Sequence, residues 1–125
     1  MTTPILKIKE VANNQVDQYL TVNEAMRIME AASDGFLTVD LSSADATITN
    51  AAPDFEMLRY KTFAADGNTV ARSITFSANQ RSFNVDNRGS AAVDVVIGVE
   101  SVSVPAGDMY AFYADGTVDG LKRAL

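Results

Sequence analysis

The sequence contains no cysteine, no histidine and no tryptophan among its 125 residues. Thiol nucleophiles, Ser-His-Asp triads and the usual zinc ligand sets are therefore excluded. Only ten lysines and arginines are present against sixteen aspartates and glutamates, which gives a net charge of −6. This balance disfavours a nucleic acid as partner. No apolar run approaches the ~20 residues of a membrane-spanning helix, so we expect no membrane partner.

The residues that are present predict a folded domain in two parts. Hydrophobic residues make up 47% of the chain and charged residues 21%, which excludes wholesale disorder. Residues 1–35 contain an arm and one helix signal, which we interpret as an anchor. Residues 36–125 have the alternating apolar residues and turn residues that are typical of β-strands, and we interpret them as a β-module.

The first 20 residues are predicted to form an extended arm. Leu6 and Ile8 alternate with Lys7 and Lys9, and this period of two is typical of an extended segment. An edge strand of the domain's own sheet is the alternative interpretation. If the segment is an arm, Leu6 and Ile8 are the apolar residues that we expect to contact a partner.

A short helix is predicted to follow the arm. Thr21-Val22-Asn23-Glu24 has the pattern of a capping box, in which the first and last side chains bond each other's backbone N–H. Gly35 supplies the stop. One apolar stripe at helical spacing is expected to pack on the β-module or on another subunit; it comprises Val22, Ala25, Met26, Met29 and Ala32.

From Phe36 onward the hydrophobic period changes from helical to alternating. About eight or nine short segments, separated by turn signals such as Asp66-Gly67-Asn68 and Asp115-Gly116, predict a mainly β fold. The even spacing favours an antiparallel sandwich or barrel, preceded by the arm and the helix. The predicted segments are Phe36–Leu41, Thr47–Thr49, Leu58–Thr62, Arg72–Phe76, Phe83–Asp86, Val93–Ile97, Val102–Val104, Met109–Tyr113 and Thr117–Val118.

The sequence shows no catalytic constellation, and we predict no enzyme, no cofactor and no metal. Glu56, Asp94 and Glu100 are candidates for a hydrolytic carboxylate pair by residue type alone. Asp66-Gly67-Asn68 offers oxygen ligands but lacks the spacing of a calcium loop, so we interpret it as a turn.

The segment Met109–Tyr113 is rich in aromatic residues. In a strand, Tyr110 and Phe112 share one face, and Tyr113 shares the other with Ala111. Because a one-sided sheet buries only one face, one of these sets is expected at an edge, a subunit interface or a ligand surface.

Two stretches resemble phage virion proteins. The segment Asn14–Ala25, with Gln15 and the run Thr-Val-Asn-Glu-Ala at 21–25, is similar to the start of tail-fibre and appendage proteins of phages and gene transfer agents. Phe83–Thr117 resembles a β-module frequent in phage fibres. That module has an asparagine turn, a valine-rich strand, a Val-Pro-x-Gly turn, an aromatic strand and an Asp-Gly-Thr hairpin.

The resemblance implies a structural protein located in the virion and assembled in the host cytoplasm. It also implies a homotrimer and contacts with other virion proteins of the tail, portal or capsid. Most members of the family carry a long C-terminal receptor-binding region, whereas this sequence ends at Leu125. We therefore expect a tail-fibre or head-fibre type connector that docks on the particle through its arm.

Two alternatives to the fibre-type connector remain. One is a capsid decoration, or cement, protein. The other is a carbohydrate-binding module for a host surface glycan, with a platform around Tyr110 and Tyr113. The residues expected to bind a partner are Leu6, Ile8, Val22, Met26, Met29, Tyr110, Phe112 and Tyr113.

Overall fold

The computed structural model describes Lys9, residues 18–49 and residues 59–124. These residues form one helix, α1 (Gln18–Asp34), and then nine strands. The strands are β1 (Phe36–Asp40), β2 (Ala46–Ile48), β3 (Thr62–Asp66), β4 (Arg72–Phe76), β5 (Gln80–Asn87), β6 (Val93–Ile97), β7 (Glu100–Val104), β8 (Met109–Asp115) and β9 (Leu121–Arg123). The predicted mainly β class with one N-terminal helix is confirmed. Most of the predicted arm lies outside the described residues.

The strands form two sheets that enclose one core. One sheet has the order β1-β3-β5-β8-β9 and the other has the order β2-β4-β6-β7. The sheets are not closed into a barrel, so the fold is a sandwich. Consecutive strands from β1 to β6 alternate between the sheets. The chain therefore makes three stacked β-arches, which are β1–β2, β3–β4 and β5–β6.

The strand directions correct the antiparallel pairing that we expected. β1, β3 and β5 are parallel to one another, and so are β2, β4 and β6. Only β5–β8, β8–β9 and β6–β7 are antiparallel. The alternation of apolar residues indicates which face of a strand is buried, but it carries no information on the direction of the neighbouring strand.

The sandwich has two different ends. The loops that follow β1, β3 and β5 lie together at one end, which we call the arch end. The β6–β7 turn and the β8–β9 turn lie at the opposite end, which we call the hairpin end. There the backbone N–H of Val99 donates to the carbonyl of Val118 at 2.9 Å. Gly35, which joins α1 to β1, is also on this side because β1 is parallel to β5.

Four phenylalanines link the two sheets at the centre of the core. The ring centroids of Phe63 and Phe76 are 4.9 Å apart, those of Phe76 and Phe83 5.2 Å, and those of Phe83 and Phe112 5.4 Å. All four side chains are buried. Such aromatic pairs stabilise beyond the area they bury, so this cluster strengthens the apolar contact between the sheets.

A buried amide network holds the arch end together. The Asn87 side-chain N–H donates to the carbonyls of Ala91 and Val104 at 2.8 and 2.9 Å. Its oxygen accepts from the Gly89 backbone N–H and from the Asn68 side chain at 3.1 and 3.2 Å. Both asparagines are 0% exposed. Gly89 is required here, because a Cβ at this position would lie 2.0 Å from the Asn68 oxygen.

Several predicted boundaries are wrong, among them those of α1, β3 and β9. α1 begins at Gln18, so Thr21 lies inside the helix and is not its N-cap. The third strand is Thr62–Asp66 rather than the predicted Leu58–Thr62, because Phe63, Ala64 and Ala65 are all buried and show no alternation by which the strand could be recognised. Ala64 is on the outer face of the sheet and yet is 0% exposed. The last strand begins at Leu121 rather than Thr117, because a longer loop follows Asp115.

We predict that Ile97→Asp unfolds the domain, because Ile97 is 1% exposed in the core and an unpaired charge there costs more than about 4 kcal/mol. The matched control is Val99→Asp, two residues away, where the side chain is 78% exposed. The control is expected to change the free energy of unfolding by less than about 0.5 kcal/mol. Urea denaturation followed by circular dichroism measures both. Equal effects would contradict the assignment of the core.

We predict that Asn87→Ala lowers the free energy of unfolding by about 2–4 kcal/mol, because it leaves several buried backbone groups without a partner. Asn84→Ala on the same strand is the control. Asn84 is half-buried and makes a single long bond, 3.3 Å, to the Thr62 hydroxyl. We expect the control to cost less than about 1 kcal/mol in the same denaturation measurement. A cost at Asn87 no greater than at Asn84 would show that the network does not stabilise the arch end.

Candidate interaction surface

The helix α1 carries an exposed apolar row. Val22, Met26 and Met29 are 45%, 62% and 56% exposed. Their spacing of four and three residues places them on one face of the helix. We call these three residues the helix row. Hydrophobic side chains exposed contiguously on a helix are a typical feature of a protein contact surface.

A different face of α1, adjacent to the helix row, packs on the rest of the chain. Thr21 and Ile28 are both 7% exposed, and Ala25, Ala31 and Ala32 are half-buried. A groove of about 350 Å³ separates this face from Arg59 and Tyr60. The predicted stripe therefore divides, with its alanines directed towards the chain and the helix row directed towards solvent. Sequence periodicity missed Ile28 as the buried residue of the helix.

The aromatic residues of β8 divide between the two faces of the sheet, as predicted from their alternation. Tyr113 is on the outer face and is 42% exposed. Tyr110 is half-buried on the inner face, and the Arg123 guanidinium lies 3.5 Å from its ring centroid. Phe112 is 1% exposed in the core, so it is not available to a partner in this fold. Tyr110 and Tyr113 consequently do not form one platform for a glycan.

The two partner-binding residues predicted in the arm, Leu6 and Ile8, lie outside the described residues. Lys9 is the described residue nearest to them, and it is exposed and lies in an isolated β-bridge. The backbone at this position therefore takes part in strand-like pairing. The expectation that Leu6 and Ile8 contact a partner stays a prediction.

A second apolar surface, which the sequence analysis missed, lies at the hairpin end. Val99 is 78% exposed and Val118 is 58% exposed, and the two are joined through their backbones. Gly98 holds a positive φ of 59°, and a Cβ there would lie 2.3 Å from the Val118 carbonyl oxygen. A valine at the tip of each of two turns was the available signal, since turns usually carry polar residues.

The outer face of the larger sheet contains a further contact that the sequence analysis missed. The Arg88 guanidinium lies 4.6 Å from the ring centroid of Phe36 and 2.9 Å from the Asp86 carboxylate. Phe36 is on β1 and Arg88 directly follows β5, and these two strands flank β3. The contact between the two side chains therefore crosses the outer face of β3. This arrangement accounts for the full burial of Ala64.

The described acidic side chains that we considered for chemistry either accept hydrogen bonds within their own turns or are exposed on different strands. Asp66 accepts from the Gly67 backbone N–H at 2.9 Å, so it is used within its turn. Hydrogen bonds from Thr117 hold the pKa of Asp115 below its usual value. Asp94 and Glu100 are exposed on different strands, and Glu56 lies outside the described residues. Among the described residues, no three acidic side chains are close enough together to hold a metal ion.

The described part of the chain contains no helix that is both long and apolar enough to cross a membrane.

Arg81, at the hairpin end, has a largely buried guanidinium group that lacks a full set of hydrogen-bond acceptors. One guanidinium nitrogen donates to the Tyr60 carbonyl, whereas Nε and Nη1 are buried without an acceptor. The adjoining cavity of about 10 Å³ is bordered by three phenylalanines and is large enough for at most one water molecule.

Burial lowers the pKa of Arg81 to about 10. The unfolded chain binds this proton more tightly than the folded chain does, so the group opposes folding at neutral pH. As the pH rises above about 10, the folded protein loses the proton first and this opposition is relieved.

No protein-family model, curated protein or solved structure matches the chain. The interpretation of these surfaces therefore depends on the chain itself.

We predict that Arg81→Met leaves the free energy of unfolding at neutral pH unchanged or raises it by about 1 kcal/mol. Methionine keeps the apolar stem and removes a buried cation with two unpartnered donors. Arg88→Met, which removes the exposed ion pair with Asp86, is the control and should change it by less than about 1 kcal/mol. A loss above about 2 kcal/mol for Arg81→Met would show that the bond to the Tyr60 carbonyl outweighs the cost of burial.

Proposed function

We propose that this protein is a non-enzymatic structural protein of a phage virion. It is an appendage or connector of the tail-fibre or head-fibre type that assembles with copies of itself, as a trimer, and with other virion proteins. The arm and α1 attach it to the particle, and the β-module forms its body. The resemblance of 14–25 and 83–117 to phage appendage proteins supports the class of protein.

The exposed helix row is the observation that carries the assembly part of the proposal. Burying a whole valine or methionine side chain stabilises by about 1.5–3 kcal/mol. Because the three side chains are about half exposed, covering the row contributes roughly 3 kcal/mol per subunit. Association itself costs about 4–15 kcal/mol. The row therefore belongs to a larger interface, to which other exposed apolar residues contribute.

The aromatic residues favour assembly over glycan recognition. A sugar-binding surface needs aromatic faces that are exposed side by side with polar groups. Here Tyr110 is covered by Arg123, and Tyr113 is on the opposite face of the strand. We therefore do not advance a second function.

We predict that the protein is a trimer at micromolar concentration and that Met26→Lys with Met29→Lys makes it monomeric. The reason is that two charges in the helix row prevent its desolvation. Light scattering after size-exclusion chromatography measures the mass. Both side chains are exposed in the subunit, so the double variant is expected to stay folded, with a circular dichroism spectrum like that of the wild-type protein.

The matched control is Asn23→Lys with Glu30→Gln, which changes the net charge by the same amount on the other exposed face of α1. It should remain trimeric. A monomeric wild-type protein, or equal disruption by the control, would contradict the role of the helix row. Mass spectrometry of purified particles tests the virion assignment separately, because a structural protein must be present in them in many copies.

A further inference from the structure

The strand β8 is apolar on both faces of the larger sheet. Its inward side chains pack in the core. Its outward side chains, which we call the β8 stripe, are Met109, Ala111 and Tyr113. All three are exposed, Met109 by 60% and Tyr113 by 42%. A strand that is apolar on both faces is typical of a sheet that is covered on both sides.

The neighbouring strand β5 has the pattern expected of a sheet with water on its outer face. Its outward residues are polar and lie in register with those of the β8 stripe; they are Ser82, Asn84 and Asp86. Apolar surface on this side of the two strands is therefore concentrated on β8. The helix row is exposed to a similar extent. Within one subunit, neither of these two surfaces covers the other.

The helix row is too small to hold an interface by itself. Three half-exposed side chains present only about 100–200 Å² of apolar surface, whereas a specific interface buries about 800 Å² on each partner. In a closed ring of three identical subunits, each contact joins two different patches of the chain. Helix rows that met only one another would leave the β8 stripe in water. A contact between row and stripe covers both surfaces in every subunit.

The two surfaces also match in length. Val22 and Met29 are seven helical residues apart, which is about 10 Å along the axis. Met109 and Tyr113 are four strand residues apart, which is about 13 Å. A helix lying along β8 therefore places three apolar side chains over three others. Methionine fits such a contact well, because its flexible thioether adapts to an aromatic ring.

The charges beside the two surfaces are complementary. The carboxylates at the two ends of the β8 stripe, Asp86 and Asp115, are already bonded within the chain. Lys122 is exposed and lies in register beside Tyr113. Glu30 is exposed at the border of the helix row. A charge pair at the rim of an interface sets its orientation more than its affinity.

We propose that the helix row of one copy lies along the β8 stripe of a neighbouring copy, with Glu30 beside the neighbour's β9. Met29 then lies towards the Tyr113 end of the stripe and Val22 towards the Met109 end. Each subunit gives its helix to one neighbour and receives the helix of the other. This inference rests on the proposed self-assembly and names the surface that receives α1.

Crosslinking tests the contact directly, because the protein contains no cysteine. A tagged Met26→Cys variant and an untagged Ala111→Cys variant are coexpressed and treated with a short bismaleimide. The control replaces Ala111→Cys by Ser103→Cys, which is exposed on the outer face of the smaller sheet. All three positions are exposed in the subunit, so each variant is expected to keep the fold. The tag identifies links between the two kinds of chain.

We expect the pair with Ala111→Cys to give roughly tenfold or more linked heterodimer than the pair with Ser103→Cys. Equal yields overturn the proposal. Links that join only Met26→Cys chains to one another also overturn it, because the helices then meet at a common axis. Light scattering on the same samples separates the two hypotheses. A trimer without the expected link overturns this inference alone, and a monomer overturns the proposed self-assembly as well.

Discussion

The hydrogen bonds of Asn87 are the interaction on which the topology depends most. Parallel strands cannot be joined by hairpins, so the chain must cross from one sheet to the other after each strand of the stack. At these crossings backbone groups turn into the interior, where each needs a partner. One amide supplies partners to the carbonyls that follow β5 and end β7, and it also binds Asn68 after β3. It thereby holds successive crossings in a fixed register.

This constraint explains which parts of the fold could be predicted from the sequence. β4 and β6 have the predicted bounds because buried apolar residues recur at every second position, Ile74 and Phe76 in β4 and Val93, Val95 and Ile97 in β6. β3 does not alternate, since Ala64 is covered on the outer face by side chains from β1 and from the loop after β5. The arches contain no sequence repeat, and a turn signal such as Asp66-Gly67-Asn68 does not show whether the chain returns in the same sheet. The parallel pairing was therefore not predictable from local pattern.

The candidate surface was predictable only in part, for a related reason. The sequence shows that α1 is apolar over a wide arc, but the arc exceeds what one contact with the sandwich can cover. Whether Ile28 or Met29 faces inward depends on the path of the chain through Gly35, which is a tertiary property. The exposed valines at the hairpin end depend on two turns from different sheets meeting at Gly98. No pattern within either segment indicates that meeting.

Buried polar atoms without a partner occur at both ends of the described sandwich, and so do exposed apolar side chains. At the arch end the buried amides hold the crossings, but the Asn68 side-chain oxygen is buried without a partner, and Val70 and Met109 are 53% and 60% exposed. The opposite side contains the junction with α1, the exposed valines of two turns and a buried arginine with unpartnered donors. The exposed parts of the two valines contribute little to the stability of the isolated subunit, because they remain in contact with water. Exposed apolar surface carries a cost in solubility wherever it lies, and contact with a partner removes that cost.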